Sequence, residues 1–158
     1  MGLLEEAGEV VAELRKPLYK GNFHEKALNK KAITSELGDV MWYIALTCRN
    51  NDIDIEKLES KIDANKYSFD REKLIKKSIK LGRQSGIIAK RYIKYNKGKI
   101  EKEKLERSLK RQYKNILKIS SMLDISIEDI LKMNIEKANY RYDENGKANK
   151  IGEEDNER

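Results

Sequence analysis

Two short stretches constrain this chain most. Gly2 to Val11 places Glu5, Glu6 and Glu9 within five positions, and Ser35 to Tyr43 adds Glu36 and Asp39. Small and apolar residues recur at Leu3, Ala7, Val10 and Leu14, and again at Ile33, Leu37, Val40, Met41 and Ile44. That period predicts two amphipathic helices. At about 100° per residue, Glu6 and Glu9 share one side of the first, and Glu36 and Asp39 share one side of the second. Each pair falls at the edge of its apolar stripe. Packing the stripes together therefore gathers four carboxylates at the rim of a shared core.

Crowded carboxylates repel one another, and each is better solvated or protonated than left beside its neighbours. A cation is expected among them. Oxygen ligands without His or Cys select a hard ion, and Mg²⁺ held by carboxylates commonly also takes substrate phosphates. The plainer reading is a set of solvated helix acids paired with Lys. Glu5 points further from the stripe than Glu6, so it is the acid that fits the plainer reading best.

The run Glu5-Glu6-Ala7-Gly8-Glu9, followed after 26 residues by Glu36-Leu37-Gly38-Asp39-Val40-Met41-Trp42-Tyr43, resembles the MazG-like, all-α nucleoside triphosphate pyrophosphohydrolases. The signature of that family is two adjacent glutamates and a third three residues on, then Glu-x-x-Asp after a variable connection. The resemblance implies hydrolysis between the α and β phosphates of a nucleoside triphosphate, giving the monophosphate and pyrophosphate, with Mg²⁺ as cofactor. Glu6, Glu9, Glu36 and Asp39 are then the metal ligands, and Glu5 the catalytic group that orients or deprotonates water. Lys16, Lys137 and Arg141 are candidates for phosphate contacts. Tyr43, one turn after Asp39, can flank the nucleotide, whereas Trp42 falls on another side and is expected to pack.

Charge is unevenly distributed. Residues 1–69 carry a net −2, residues 70–142 a net +12 and residues 143–158 a net −3, within a total of +7. The first part calls for a cation and the middle for an anionic partner. No apolar run approaches the roughly 20 residues of a membrane span, and the start shows no signal-peptide pattern. A cytoplasmic location without membrane contact is the expectation. The single Cys48 is expected to pack, and the single His24 lies in a polar connection.

Helices are predicted from near Gly2 to Lys16, with Pro17 disturbing or ending the first, and from about Lys30 to Arg49. Asp54 can cap a short helix to Tyr67, and Asp70 a long one to about Tyr95. Another is predicted from about Glu101 to Met122. Ser126 with Asp129 makes a capping box for the last, ending near Tyr142. Residues 143–158 have almost no apolar content and read as a loose tail.

This order contains a repeat. Arg83-Gln84-Ser85-Gly86-Ile87-Ile88 lies on Glu5-Glu6-Ala7-Gly8-Glu9-Val10 at an offset of 78, and Asp124-Ile125-Ser126-Ile127-Glu128 lies on Asp52-Ile53-Asp54-Ile55-Glu56 at an offset of 72. The expected organisation is a MazG-like unit over 1–69 carrying the acids, a degenerate basic unit over 70–142, and the tail over 143–158. In the second unit Arg83, Gln84, Ile87, Ser108 and Arg111 replace the five acids. That unit has a helix, Asp70 to Leu81, leading into its first motif, as the family usually does; the first unit begins at Met1 without one. The family's last helix usually carries an Asn, a Lys and an Arg before an aromatic, and Asn134, Lys137, Arg141 and Tyr142 match that pattern. The expected architecture is a helical bundle in which two fused units form a pseudo-dimer with one composite site, with further association left open.

Two rival readings remain. The +12 segment, with Tyr92, Tyr95, Tyr113, Tyr140 and Tyr142 among Lys and Arg, has the composition of a nucleic-acid binder. No groove-reading motif accompanies it, so no nucleic-acid partner is expected. The other rival is a catalytically inactive interaction module. Neither has a use for four carboxylates converging on one rim.

Overall fold

The helical spacing resolves into five α-helices among the described residues, with no strand. The structure, a computed structural model, describes residues 2–19, 27–58, 67–99 and 101–141. The helices are α1 (Gly2–Tyr19), α2 (Lys30–Arg49), α3 (Arg71–Asn96), α4 (Lys102–Met122) and α5 (Ile127–Arg141), with a 3-10 turn at Ile55–Leu58. The expected all-α class is what is found. None of these helices is long and apolar enough to cross a membrane.

Side-chain caps fix three of the helix starts. Asn29 Oδ1 accepts from the Ala32 amide at 3.1 Å, Asp70 Oδ1 from Lys73 at 2.9 Å, and Ser126 Oγ from Asp129 at 2.9 Å. Each satisfies one of the amides that a first helical turn leaves without a partner. Pro17 does not end α1, contrary to expectation. It is buried in line with Leu3, Ala7, Val10 and Leu14, and near the end of the helix its missing N–H costs one hydrogen bond while its ring extends the apolar stripe. The helix expected between Asp54 and Tyr67 is represented by Ile55–Leu58 alone, its remainder lying outside the described residues. His24 and the 143–158 tail also lie outside them.

Antiparallel pairing organises the bundle. Gly2 of α1 lies against Tyr43 of α2, and Glu6 meets Asp39 further back along α2. On the other side, Arg91 of α3 donates to the Lys104 carbonyl at 2.8 Å, Gln112 to Ser85 Oγ at 2.7 Å, and Asn115 to the Lys77 carbonyl at 3.0 Å. The two pairs join through α1 and α3, where Val11 packs on Gly82. Ala7, Val10, Ile33, Leu37, Leu81, Leu109 and Ile116 have no solvent exposure. Cys48 packs with them as expected, and burial pushes its thiol up to about 11.

The same turn follows α2 and α4. Asp52 and Asp124 adopt left-handed backbone at φ 51° and 53°, a conformation Asp tolerates better than most side chains. The next amide then reaches back into the helix, Ile53 to the Cys48 carbonyl and Ile125 to that of Ser120, both at 2.9 Å. These bonds satisfy carbonyls that a helix end leaves open. They also turn Ile53 and Ile125 into the core. After the first turn the chain crosses to α4 through the 3-10 turn; after the second, α5 crosses to α2.

Candidate functional site

The stripes of α1 and α2 pack as their spacing requires, and the acids on their edges line one pocket of about 520 Å³. That volume falls within the roughly 300–1,000 Å³ typical of small-molecule sites. Gly2 permits the close approach of the helices, since a Cβ there would stand 2.1 Å from the Tyr43 ring.

Glu6, Glu36 and Asp39 each offer a carboxylate oxygen, and these oxygens lie within 4.8 Å of one another. The cluster has the composition and spacing to hold a metal ion. Glu36 Oε2 is buried and has no hydrogen-bond partner among the described residues, an acceptor that burial makes costly to leave unmet. Burial, followed by a hydrogen bond with Glu9, pushes Glu36 up to about 7, with the Lys137 ammonium opposing the rise. Burial also raises Glu6, reinforced by the charges of Asp39 and Glu9. Glu9 lines the pocket but stands outside the triad.

The opposite wall comes from α5, far away in sequence. Lys137 forms an ion pair with Asp39 Oδ2, and Asn134 Nδ2 donates to Asp39 Oδ1 at 3.2 Å. Both Asp39 oxygens are thus held by the last helix. Arg141 lines the same pocket one turn beyond Lys137. A cation therefore does stand among the acids, and it is a side chain delivered by another part of the chain.

Tyr43, Asn134, Lys137 and Arg141 line the pocket together with the four acids. Three expectations are corrected. Lys16 is exposed and ion-paired with Glu13 one turn back, away from the pocket; two helical turns separate it from Glu9. Glu5 is exposed and does not line the pocket, because one helical step rotates it about 100° from Glu6. It touches the site only through the repulsion its charge exerts on Glu6. Trp42 does not pack in the core: it is 55% exposed and lines the pocket. Its spacing of three from Asp39 was the available signal.

Residues 1–75 match the family model described as the MazG nucleotide pyrophosphohydrolase domain. No curated protein and no solved structure matches the chain significantly. The matched stretch contains α1 and α2 with all four pocket acids, and it ends just inside α3, before the helix that carries Asn134, Lys137 and Arg141. Over residues 1–75, just under half of its length, the chain is similar to the MazG nucleotide pyrophosphohydrolase domain family.

Proposed function

We propose that this chain hydrolyses nucleoside triphosphates to the monophosphate and pyrophosphate, with Mg²⁺, at one composite site. The observation that carries this reading is the meeting, in one pocket, of Glu6, Glu36 and Asp39 from the matched stretch with Asn134, Lys137 and Arg141 from beyond it. The unmet Glu36 oxygen within a cluster of hard oxygen donors fits such an ion. Held by Glu6, Glu36 and Asp39, it would neutralise phosphate oxygens and acidify water.

In the step proposed, a water oxygen bonds to the α-phosphorus while the bond from that phosphorus to the α–β bridging oxygen breaks. Pyrophosphate departs with the bridging oxygen, and a carboxylate takes the proton from the water. Glu9 suits that last role better than Glu5, because it lines the pocket beside Glu36 without belonging to the triad. Lys137 and Arg141 stabilise the phosphate charge as it shifts to the leaving group. Tyr43 and the exposed Trp42 offer faces to the base.

The composite site follows from a duplication. At an offset of 78, buried Leu3, Ala7 and Val10 correspond to buried Leu81, Ser85 and Ile88; at 72, Leu37, Ile44 and Cys48 correspond to Leu109, Ile116 and Ser120. Asp52 and Asp124, the two left-handed residues, also stand 72 apart. Val11 packs on Gly82, and the reciprocal pair, Leu4 and Ala89, lines one small cleft. Reciprocal contacts are what a two-fold axis imposes. They support an intramolecular pseudo-dimer whose second unit lends α5 to the first.

The test is pyrophosphate release from a panel of ribo- and deoxyribonucleoside triphosphates, with Mg²⁺ and with EDTA, beside Glu36→Gln. Turnover requiring both the metal and the carboxylate is expected. Removing residues 125–158 from a chain that stays folded is expected to abolish it. Unchanged turnover after that truncation would refute the composite site.

A further inference from the structure

A second cleft, of about 210 Å³, opens between α3 and α4. Lys77 and Lys80 from α3 face Arg111, Lys114 and Lys118 from α4 across it, with the Gln84 amide between them. No carboxylate lines it among the described residues. The sequence explains why: α3 has no acid after Glu72, and α4 has none after Glu106. Three other lysines of these helices have acid partners, Lys73 with Asp70, Lys76 with Glu72 and Lys104 with Glu101. In the cleft, like charges are held together. Lys77 is half-buried, and burial followed by the charges of Lys118 and Lys80 makes its ammonium easier to deprotonate.

Hydrogen bonds across the floor of the cleft join the two helices. Asn115 ties α4 to the Lys77 carbonyl, and Gln84 ties α3 to the Ser108 carbonyl at 3.2 Å. Lys118 is also held, over the Tyr67 ring at 5.6 Å from its centre. A crevice lined by cations in this way is stabilised by an anion that neutralises them. If the duplication holds, Gln84 and Arg111 occupy the positions of Glu6 and Asp39, and Lys114 and Asn115 those of Trp42 and Tyr43. One crevice of the pseudo-dimer then takes a cation, and its counterpart takes an anion.

We propose that this cleft binds a small polyphosphate anion of the pyrophosphate class. Its volume is below the roughly 300 Å³ at which sites for whole small molecules begin, so it suits a phosphate chain without a nucleoside. Five cations around one cleft match the several oxygens of such an anion. The product of the proposed hydrolysis belongs to this class. The anion site rests on the charges of the cleft itself, and only its relation to the acidic pocket rests on the duplication.

The test is calorimetric titration of the full chain with sodium pyrophosphate in EDTA, which keeps metal-bridged binding at the acidic pocket out of the signal. Saturable binding is expected, weakened at least about tenfold by Lys77→Gln with Arg111→Gln and left within about twofold by Glu36→Gln. Should the first pair of substitutions unfold the chain, Lys80→Gln with Lys114→Gln removes two charges nearer the solvent. Absent binding, binding unchanged by the cleft substitutions, or binding lost in Glu36→Gln would overturn the proposal. So would a single-stranded oligonucleotide that depends on these lysines when pyrophosphate does not bind. Hydrolysis is not part of any readout, so a failure here is distinct from a failure of the catalytic reading.

Discussion

Asn134 stands directly against Gly38: a Cβ built on Gly38 would lie 3.2 Å from Asn134 Cβ and 3.3 Å from the Ile130 carbonyl oxygen. The last helix thus crosses α2 where α2 has no side chain, one residue before Asp39. This crossing is what lets Asn134 and Lys137 reach both Asp39 oxygens.

Gly38→Ala is therefore expected to push α5 outward by a few tenths of an ångström. Overpacking of this kind costs about 1–3 kcal/mol, read as a lower Tm. Loss in kcat/KM is expected to exceed what instability explains, since small misplacements of binding groups cost up to about 100-fold. Gly8→Ala is the matched control. Nothing lies within 4 Å of a Cβ there, so removing a mid-helix glycine is expected to stabilise by about 0.5–1 kcal/mol. A destabilised Gly8→Ala, or a Gly38→Ala chain as stable as the parent, would show that α5 does not dock as described.

Metal-free stability is expected to fall as pH rises through the range set by Glu36. Its pKa climbs from 4.5 to about 7 on folding, so between those values the folded chain keeps a proton that the unfolded chain has released. That difference favours the folded state below 4.5 and is withdrawn as pH rises toward 7. Glu36→Gln should flatten the decline and raise Tm at pH 8 in EDTA. On the proposed reading Mg²⁺ displaces the same proton, so its affinity is expected to increase through pH 7. Parallel Tm profiles for the parent and the Gln variant would contradict the assignment.

Lys137→Met removes the cation paired with Asp39 and is expected to lower kcat/KM for triphosphates by about 10²–10³-fold. Lys137→Arg should recover part of the loss, because charge is what the phosphate needs from this position. Equal losses in the two variants, measured by steady-state kinetics, would point to packing as the main role of this side chain.

Ser85 and Gln112 form a polar pair inside the second half of the bundle, both without solvent exposure. Gln112 Oε1 has no partner among the described residues. Ser85→Ala alone is expected to destabilise by about 1 kcal/mol, and adding Gln112→Leu to restore that loss or more, since an apolar pair leaves nothing unsatisfied. Ala7 and Val40, which stand 78 and 72 positions before them, are apolar and fully buried. Additive losses in a double-mutant cycle by chemical denaturation would count against this account.

Periodicity and short-range chemistry determined much of this protein from the sequence alone. The apolar spacing of Leu3, Ala7, Val10 and Leu14 specifies a buried face, and the caps at Asn29, Asp70 and Ser126 act within three residues of themselves. The placement of Glu6, Glu9, Glu36 and Asp39 on stripe edges follows from helical geometry, which is why their convergence was legible. Local rules misjudged Pro17, Lys16 and Trp42 because each depends on what packs nearby: a stripe that includes the proline, a glutamate one turn away, and a pocket open beside the indole. Only the tertiary structure decided that α5 returns to α2 and gives Lys137 to Asp39. It also decided that α3 and α4 enclose their lysines without a described carboxylate. Those placements bring together residues 98 and 34 positions apart, Asp39 with Lys137 in an ion pair and Lys77 with Arg111 around one cleft, and helical period carries no information over such distances; shape and burial across the packed bundle choose the partners.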